Sequence, residues 1–597
     1  MAPTGKVEAD GGGRGMLKKR IVRRVLPDGT VPELEGPDGG LHPVLARTYR
    51  AREITSDREL DVSLERLPSW ERLGGIDAAI GTLAAALAQD RRILVVGDFD
   101  ADGATSCAVA VRALRMMGAR QVRYLVPDRF NYGYGLTPEI VAVARQWQPH
   151  LLVTVDNGIA SCAGVAAARD LGIEVVITDH HLPGAELPAA AAIVNPNLPG
   201  DPFPCKHLAG VGVIFYVMLA LRAQLREARW FARRGLEEPN LAQLLDLVAL
   251  GTVADVVRLD HTNRILVAQG LARIRAGRCC AGITALIEVA QRSRQRLVAA
   301  DLGFALGPRL NAAGRLQDMS IGIECLLSDD PDRALALARQ LDDLNRERRA
   351  IERRMQDQAA ALIAAMPTMT GDFDAPRCLA LYDPSWHQGV IGILASRVKE
   401  RVHRPVVAFA RADDGLLKGS ARSVSGVHIR DALDAVATRH PGLIERFGGH
   451  AMAAGLTIRR ENLDRFRAEF ETEVARHLTA EDLQGVILSD GPLRPDELSL
   501  ELAELIRGAG PWGQGFPEPV FDGAFEVIDS RVVGERHWKL QLDLGDRGRS
   551  IDAIAFNAVE PGAAVPGGGG PLNIAYRLDV NEYRGARSPQ LIVEHIA

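Results

Sequence analysis

Nowhere does the chain hold an apolar run long enough to span a bilayer. Its first residues, MAPTGKVEADGGGRGMLKKRIVRR, carry charge but no apolar segment of signal-peptide length. Cysteine is sparse: Cys107, Cys162, Cys205, Cys279, Cys280, Cys325 and Cys378, an odd set with no CxxC pair. That argues against a disulfide framework or a zinc site and for reduced structural thiols. A strong charge of either sign is also missing, the net charge being −5 with a pI near 6.3. No global basic field follows from that balance, although a local basic groove remains open. Together these absences predict a soluble, cytoplasmic protein; no convincing internal repeat is seen along the sequence.

What is present is an ordinary folded composition, 47% hydrophobic and 25% charged, over 597 residues. That length exceeds one hydrophobic core and predicts three or four domains. Residues 1–45, rich in Gly, Pro and charge, read as a loose, flexible tail. From 92 the apolar runs RILVVG, QVRYLVP, LLVTVDNG and EVVITDHH alternate with Ala-rich helical stretches. Uninterrupted apolar strands alternating with helices predict a parallel α/β sheet, within a first domain over 46–325. Residues 331–366 place Leu337, Leu341, Leu344, Ile351, Met355, Leu362 and Met366 at helical spacing. The expectation is one long helix, on the order of 50 Å, forming a rigid connector over 326–368. A second α/β unit follows over 369–482. Residues 483–597 show five short strands, predicting a small β-barrel of the OB type, with PGAAVPGGGGP as a loop inside it.

In an open parallel sheet, ligands gather beyond the carboxyl ends of the strands. Those ends carry Asp98, Asp100 and Asp102 in VVGDFDADGATS, Asp156 in TVDNG, and Asp179, His180 and His181 in DHH. Asp255 in GTVADVV adds a further acid. If the first strand continued through its three aspartates, spacing of two would put their carboxylates on one face. Any one of these acids alone reads as a helix N-cap or turn former, and either histidine alone as a satisfied structural residue. Together they would repel one another, and divalent cations remove that cost. Oxygen ligands suit Mg²⁺, Mn²⁺ or Ca²⁺, and an imidazole moves the choice toward Mn²⁺. Four or five ligands with a shareable carboxylate suit two ions about 3.5–4 Å apart, one activating water and one steadying the leaving oxygen. The chemistry predicted is hydrolysis of a phosphodiester or phosphoanhydride.

GDFDADG, TVDNG, DHH and GTVADVV, in this order, resemble the DHH phosphoesterase superfamily. VPDRFNYGYGL, GPRLNAAGR, WHQGVIGILASRV, GSARSVSGVHIRDAL and FGGHAMAAGLT narrow the resemblance to its bacterial single-strand-specific 5′→3′ DNA exonucleases. The likeness runs from about residue 50 to the C-terminus. It implies a DHH domain, a DHHA1 domain as the second α/β unit, and an OB-like nucleic-acid-binding domain. It implies phosphodiester hydrolysis with two ions, Mn²⁺ or Mg²⁺, in DNA recombination and repair. Asp100, Asp102, Asp156, His180 and Asp255 match metal ligands, with Asp156 as the bridge. Asp98 matches an acid of the same motif acting as ligand or beside one, and His181 a histidine that meets the scissile phosphate.

Ser420, Arg422 and Arg129 match residues holding a 5′-phosphate, which a guanidinium fork suits. Arg309, Asn311 and Arg315 match contacts to the strand, with a structural ion pair as the alternative for each. Gly448, Gly449 and His450 match a phosphate-approaching turn, and His387 reads as positional. One departure stands out: many superfamily members carry a histidine where this chain has Val96, leaving Asp98 or water to complete that metal set.

The barrel aromatics Trp512, Phe516, Phe521, Phe525, Trp538, Tyr576 and Tyr583 are candidates for base stacking or barrel core. The resemblance suggests single-stranded DNA as substrate, a single-strand-binding protein and a RecQ-type helicase as partners, no membrane, and a monomer. A DHH hydrolase of small substrates is the alternative, against which the barrel and connector helix speak. A non-catalytic DNA-binding scaffold ranks lower, because only position 96 departs from the ligand pattern.

Overall fold

The computed structural model describes residues 19–25, 34–36, 39–128, 132, 135–366, 376–479, 482–534, 536–545, 548–559, 570–583 and 585–597. Part of the segment expected to be a loose tail is ordered. Strand β1 (Arg20–Arg23) pairs in parallel with Val486–Ser489, and Arg52 makes a two-point, fully buried ion pair with Asp490. This N-terminal segment therefore packs on the beginning of the C-terminal domain. The composition of the tail hid that, because the partner strand lies more than 450 positions away in sequence.

The first sheet holds β2 (Ile93–Val96), β3 (Val122–Leu125), β4 (Leu151–Val155), β5 (Glu174–Thr178) and β6 (Ala192–Val194), all parallel in the order β3-β2-β4-β5-β6. β2 and β4 are buried along their whole length, which is why they read as unbroken apolar runs rather than alternating ones. The order reverses at β2, so the rim beyond β2 and β4 is the place where such a sheet opens a crevice. The fifth strand, β6, is only three residues long and escaped the sequence reading. Helices Ala101–Met116, Gly210–Glu227 and Leu245–Ala254 cover one face with an almost wholly apolar interior.

The long helix is present as Pro331–Ala364, with Asp330 accepting from the N–H groups of Asp332 and Arg333 and Pro at its first position. Its first half packs on the first domain, and Met355 and Ala359 join the core of the second. That second unit is a mixed sheet of β7 (Leu379–Tyr382), β8 (Val406–Arg411), β9 (Leu416–Arg422), β10 (Arg446–Gly449) and β11 (Ala453–Arg459), ordered β10-β11-β9-β8-β7. Only the β7–β8 pair is parallel.

After β12 (Val486–Ser489), strands β13 (Phe521–Val533), β14 (His537–Asp543), β15 (Ser550–Ala555), β16 (Leu572–Tyr583) and β17 (Ala586–Ile596) close into a barrel, as the five-strand pattern predicts. Phe516, Phe521, Phe525, Trp538 and Tyr576 are buried and Trp512 stacks on Phe516, so these aromatics are core; Tyr583 is exposed. Most of the loop PGAAVPGGGGP lies outside the described residues. All seven cysteines are free thiols. Among the described residues no helix is long and apolar enough to cross a membrane.

Candidate metal centre and nucleic-acid interface

β2 stops at Val96, so the three aspartates do not share one strand face. Asp98 lies in the turn, with Oδ1 accepting from the Phe99 N–H at 2.7 Å. Asp100 is the N-cap of helix Ala101–Met116, its Oδ1 accepting from the Gly103 N–H at 3.0 Å, and Asp102 stands in the first helical turn. The extended-strand expectation fails because an N-cap aspartate starts the helix two residues too early for it. The carboxylates converge nonetheless.

Asp156 follows β4 directly and holds a left-handed backbone, φ 62°, a conformation uncommon outside glycine and enriched at functional sites. Gly210 lets the helix Gly210–Glu227 approach it: a Cβ there would stand 2.5 Å from the Asp156 Cβ. The N–H groups of Gly210 and Val211, at the start of that helix, donate to Asp102 at 2.6 and 2.9 Å, a favourable place for a carboxylate.

Three groups each bring their ligand atoms within 4.8 Å of one another: Asp98, Asp100 and Asp156; Asp102, His180 and Asp255; and Asp156, His180 and His181. Asp156 and His180 each belong to two of them. His180 Nε2 lies 3.1 Å from Asp156 Oδ1 and 3.6 Å from Asp255 Oδ2. Yet the His180 nitrogen and the Asp255 oxygen are buried and make no hydrogen bond. Buried polar atoms left in that condition are costly unless something else binds them. A divalent cation fits this donor set of carboxylate oxygens and imidazole.

The electrostatics agree. Burial and the neighbouring charges of Asp255 and Asp100 push Asp102 up to about 7. Burial and Asp100 push Asp255 to about 7, and burial with Asp102 and Asp100 drives Asp156 well above the carboxylate range. Burial, then the charge of His181, lowers His180 and favours the neutral ligand form. Burial alone would lower His181 too, but the hydrogen bond and charge of Asp179 outweigh it and raise it to about 9.

Asp179, fully buried, was visible in the sequence only as a strand-end acid. Its Oδ1 accepts from the N–H groups of His180 and His181 and from His181 Nδ1, and its Oδ2 from the Ile159 N–H. Two residues escaped the sequence reading altogether. Asn195 Nδ2 donates to the His181 carbonyl at 2.8 Å, and Asn197 Nδ2 to the His180 carbonyl at 2.5 Å. The signal was available as Asn-x-Asn immediately after β6, although without that short strand nothing directed it toward the histidines. Val96 is a buried strand residue of the core.

The residues expected to meet DNA divide. Arg315 Nη1 donates to the Gly389 carbonyl at 3.1 Å, bridging the two α/β units. Ser420 and Arg422 lie on β9, where Arg422 Nη1 donates to Ser420 Oγ at 3.0 Å and burial lowers the Arg422 pKa. Gly448 and Gly449 end β10; Gly449 has φ 145°, and a Cβ there would strike the Ala453 carbonyl. His450 stands at the hairpin tip, its pKa lowered by partial burial and then by the neighbouring charge of His181.

Arg309 is found in the ion-pair arrangement held as the alternative to a strand contact. It is buried, pairs with Asp342 at 2.8 Å and donates to the Ala305 carbonyl, which leaves its guanidinium to the protein. Asn311 likewise has an internal role, its Oδ1 accepting from the Ala101 N–H at 2.8 Å and steadying the aspartate turn. Arg129 lies outside the described residues. His387 Nδ1 accepts from the Gly389 N–H at 3.1 Å, in the turn that Arg315 reaches.

A rim of buried aspartates and paired histidines on a parallel sheet, faced by a second α/β unit, defines a DHH-type phosphoesterase. The chain matches the DHH family N-terminal domain over 92–252, the DHHA1 domain over 375–476 and the RecJ OB domain over 489–595. The chain belongs to the RecJ family of single-stranded-DNA-specific exonucleases. It is 57% identical to the single-stranded-DNA-specific exonuclease RecJ of Dickeya dadantii, over 94% of this chain and 97% of that protein. It is 54% identical to that of Escherichia coli, over 93% and 96%. The crystal structure of RecJ in complex with Mn²⁺ from Thermus thermophilus superposes with a TM-score of 0.75 at 31% identity, covering 93% of this chain and 76% of the other.

Proposed function

We propose that this protein is an exonuclease that hydrolyses single-stranded DNA from the 5′ end with two divalent cations, Mn²⁺ or Mg²⁺. The observation that carries the reading is the sharing of Asp156 between two ligand groups, with Asp98 and Asp100 on one side and the histidine pair on the other. Asp98, Asp100 and Asp156 would hold one ion, and Asp102, His180 and Asp255 the other, with Asp156 between them. Bound there, the ions supply charge neutralisation of the phosphate and acidification of water.

The chain's own residues do the rest. Asp179 keeps His181 protonated and presents its other ring nitrogen to a phosphate oxygen, a charge-assisted hydrogen bond. Ser420, Arg422 and the Gly448–Gly449–His450 turn hold the terminal 5′-phosphate, so the strand is measured from its end. Arg315 keeps the two units in register across the cleft. The barrel lengthens the track for a strand, which a small-substrate hydrolase would not need. The protein acts as a monomer in the cytoplasm, in DNA recombination and repair, fed by a helicase of the RecQ type and by a single-strand-binding protein.

Digestion of single and double strands labelled at either end, under titrated Mn²⁺ or Mg²⁺, tests this. Loss of a 5′ label before a 3′ label, on single strands only, supports it. Release of the 3′ label first removes the assigned polarity, and binding without cleavage at any metal concentration removes the enzyme.

A further inference from the structure

Several large apolar side chains that stand partly in water directly follow, or lie within two residues of, members of the site. Leu182 directly follows His181 and is 62% exposed; Val256 directly follows Asp255 and is 63% exposed; Met452, two residues after His450, is 50% exposed. Phe304 is 80% exposed. It sits in the π-helical segment Leu302–Leu306, where Gly303 lies against Val253 and the adjoining Gly307 against Ala254, just before Asp255. The next helix, Gly307–Leu316, carries Asn311, which steadies the aspartate turn. Single exposed apolar residues are ordinary on a protein surface. Four that adjoin residues of one charged site, or the helix that caps it, each leave half or more of their surface in water.

Val256 supplies an independent observation. Its backbone is left-handed, φ 64°, an outlier for a β-branched residue. Strain of that kind is enriched at functional sites, and here it falls at the exposed residue that directly follows Asp255 at the end of helix Leu245–Ala254.

We propose that Leu182, Val256, Phe304 and Met452 form an apolar rim that packs against unpaired bases of the nucleotides flanking the phosphate held by the acids. This rests on the exonuclease reading above. The charged groups of the site take the phosphates, and the remaining surface of the same nucleotides is the planar face of the base. Such faces are free in a single strand and covered by stacking and pairing in a duplex. Apolar contact reads no hydrogen-bond pattern, so the rim accepts any base while rejecting a paired one. Selection for single strands is thereby made at the mouth of the site as well as along the barrel.

The test compares wild type, Phe304→Ala and Val256→Gly on two strands, one normal and one abasic at its first three positions. Glycine suits the left-handed backbone at 256 and alanine at 304 removes only exposed surface, so both variants keep the wild-type melting temperature. The expected result is a KM about tenfold above wild type on the normal strand. On the abasic strand the gap between wild type and variants closes to within about twofold. An equal loss on both strands, or no loss on the normal one, overturns the rim. If wild type with Mn²⁺ fails to shorten the normal strand, the underlying reading is overturned instead.

Discussion

Asp179 Oδ1 stands 2.8 Å from His181 Nδ1 and also accepts the backbone N–H groups of His180 and His181. One buried carboxylate thus sets the position of both histidines and the charge of the second. The pairing resembles the support that ligating and catalytic histidines generally need from a neighbouring carboxylate.

Asp179→Asn should bring His181 down from about 9 toward its ordinary value, read by NMR titration of the metal-free protein. Because the folded-state pKa is raised, its contribution to stability is full below about 6.5 and fades as pH rises through about 9. The variant therefore loses more stability near pH 6 than near pH 9.5, by denaturant melts. Equal losses at both would contradict the pairing.

Asp156→Ala should abolish strand cleavage while DNA binding by fluorescence anisotropy stays measurable. In the metal-free wild type, the raised Asp102 and Asp255 bind protons more tightly folded than unfolded. Its stability then falls as pH rises from about 4 through about 7, and removing the Asp156 carboxylate lessens that fall. Mn²⁺ at about 100 times its Kd stabilises the wild type by about 2.7 kcal/mol. The variant gains less, and an equal gain would remove Asp156 from the metal set.

Arg422→Ala should cut the preference for 5′-phosphorylated over 5′-hydroxyl strands by about tenfold, the scale of one charge-assisted hydrogen bond. Turnover of the two substrates in competition measures it. An unchanged ratio would move the end-phosphate site elsewhere.

Arg309→Met should destabilise the fold by about 1–3 kcal/mol, because it removes one of the two arginines paired with the buried Asp342 and leaves Arg346. The salt dependence of DNA affinity should keep its slope, since a guanidinium enclosed by protein neutralises no phosphate. A shallower slope would restore the strand-contact role.

The architecture was legible wherever a single element carried its own signal. Buried parallel strands announce themselves as apolar runs, the long helix by its spacing of Leu337, Leu341 and Leu344, and the barrel by five short strands. The acids were legible as a set because like charges at strand ends need a reason. Their local geometry was not, since whether Asp100 extends a strand or caps a helix depends on which hydrogen bonds the Gly103 N–H finds. For Arg309 the sequence left strand contact and ion pair both open, because its partner, Asp342, lies on the long helix and nothing in its own motif points there. The supports of the histidines, Asn195 and Asn197, were hidden behind a three-residue strand that no periodicity reveals. Strain at Val256 is a property of the folded backbone and leaves no mark in the sequence.

The most direct measurement is anomalous scattering from crystals grown with Mn²⁺. Two peaks per chain are expected, one among Asp98, Asp100 and Asp156 and one among Asp102, His180 and Asp255, with Asp156 touching both. A single peak, or peaks away from these side chains, would contradict the account.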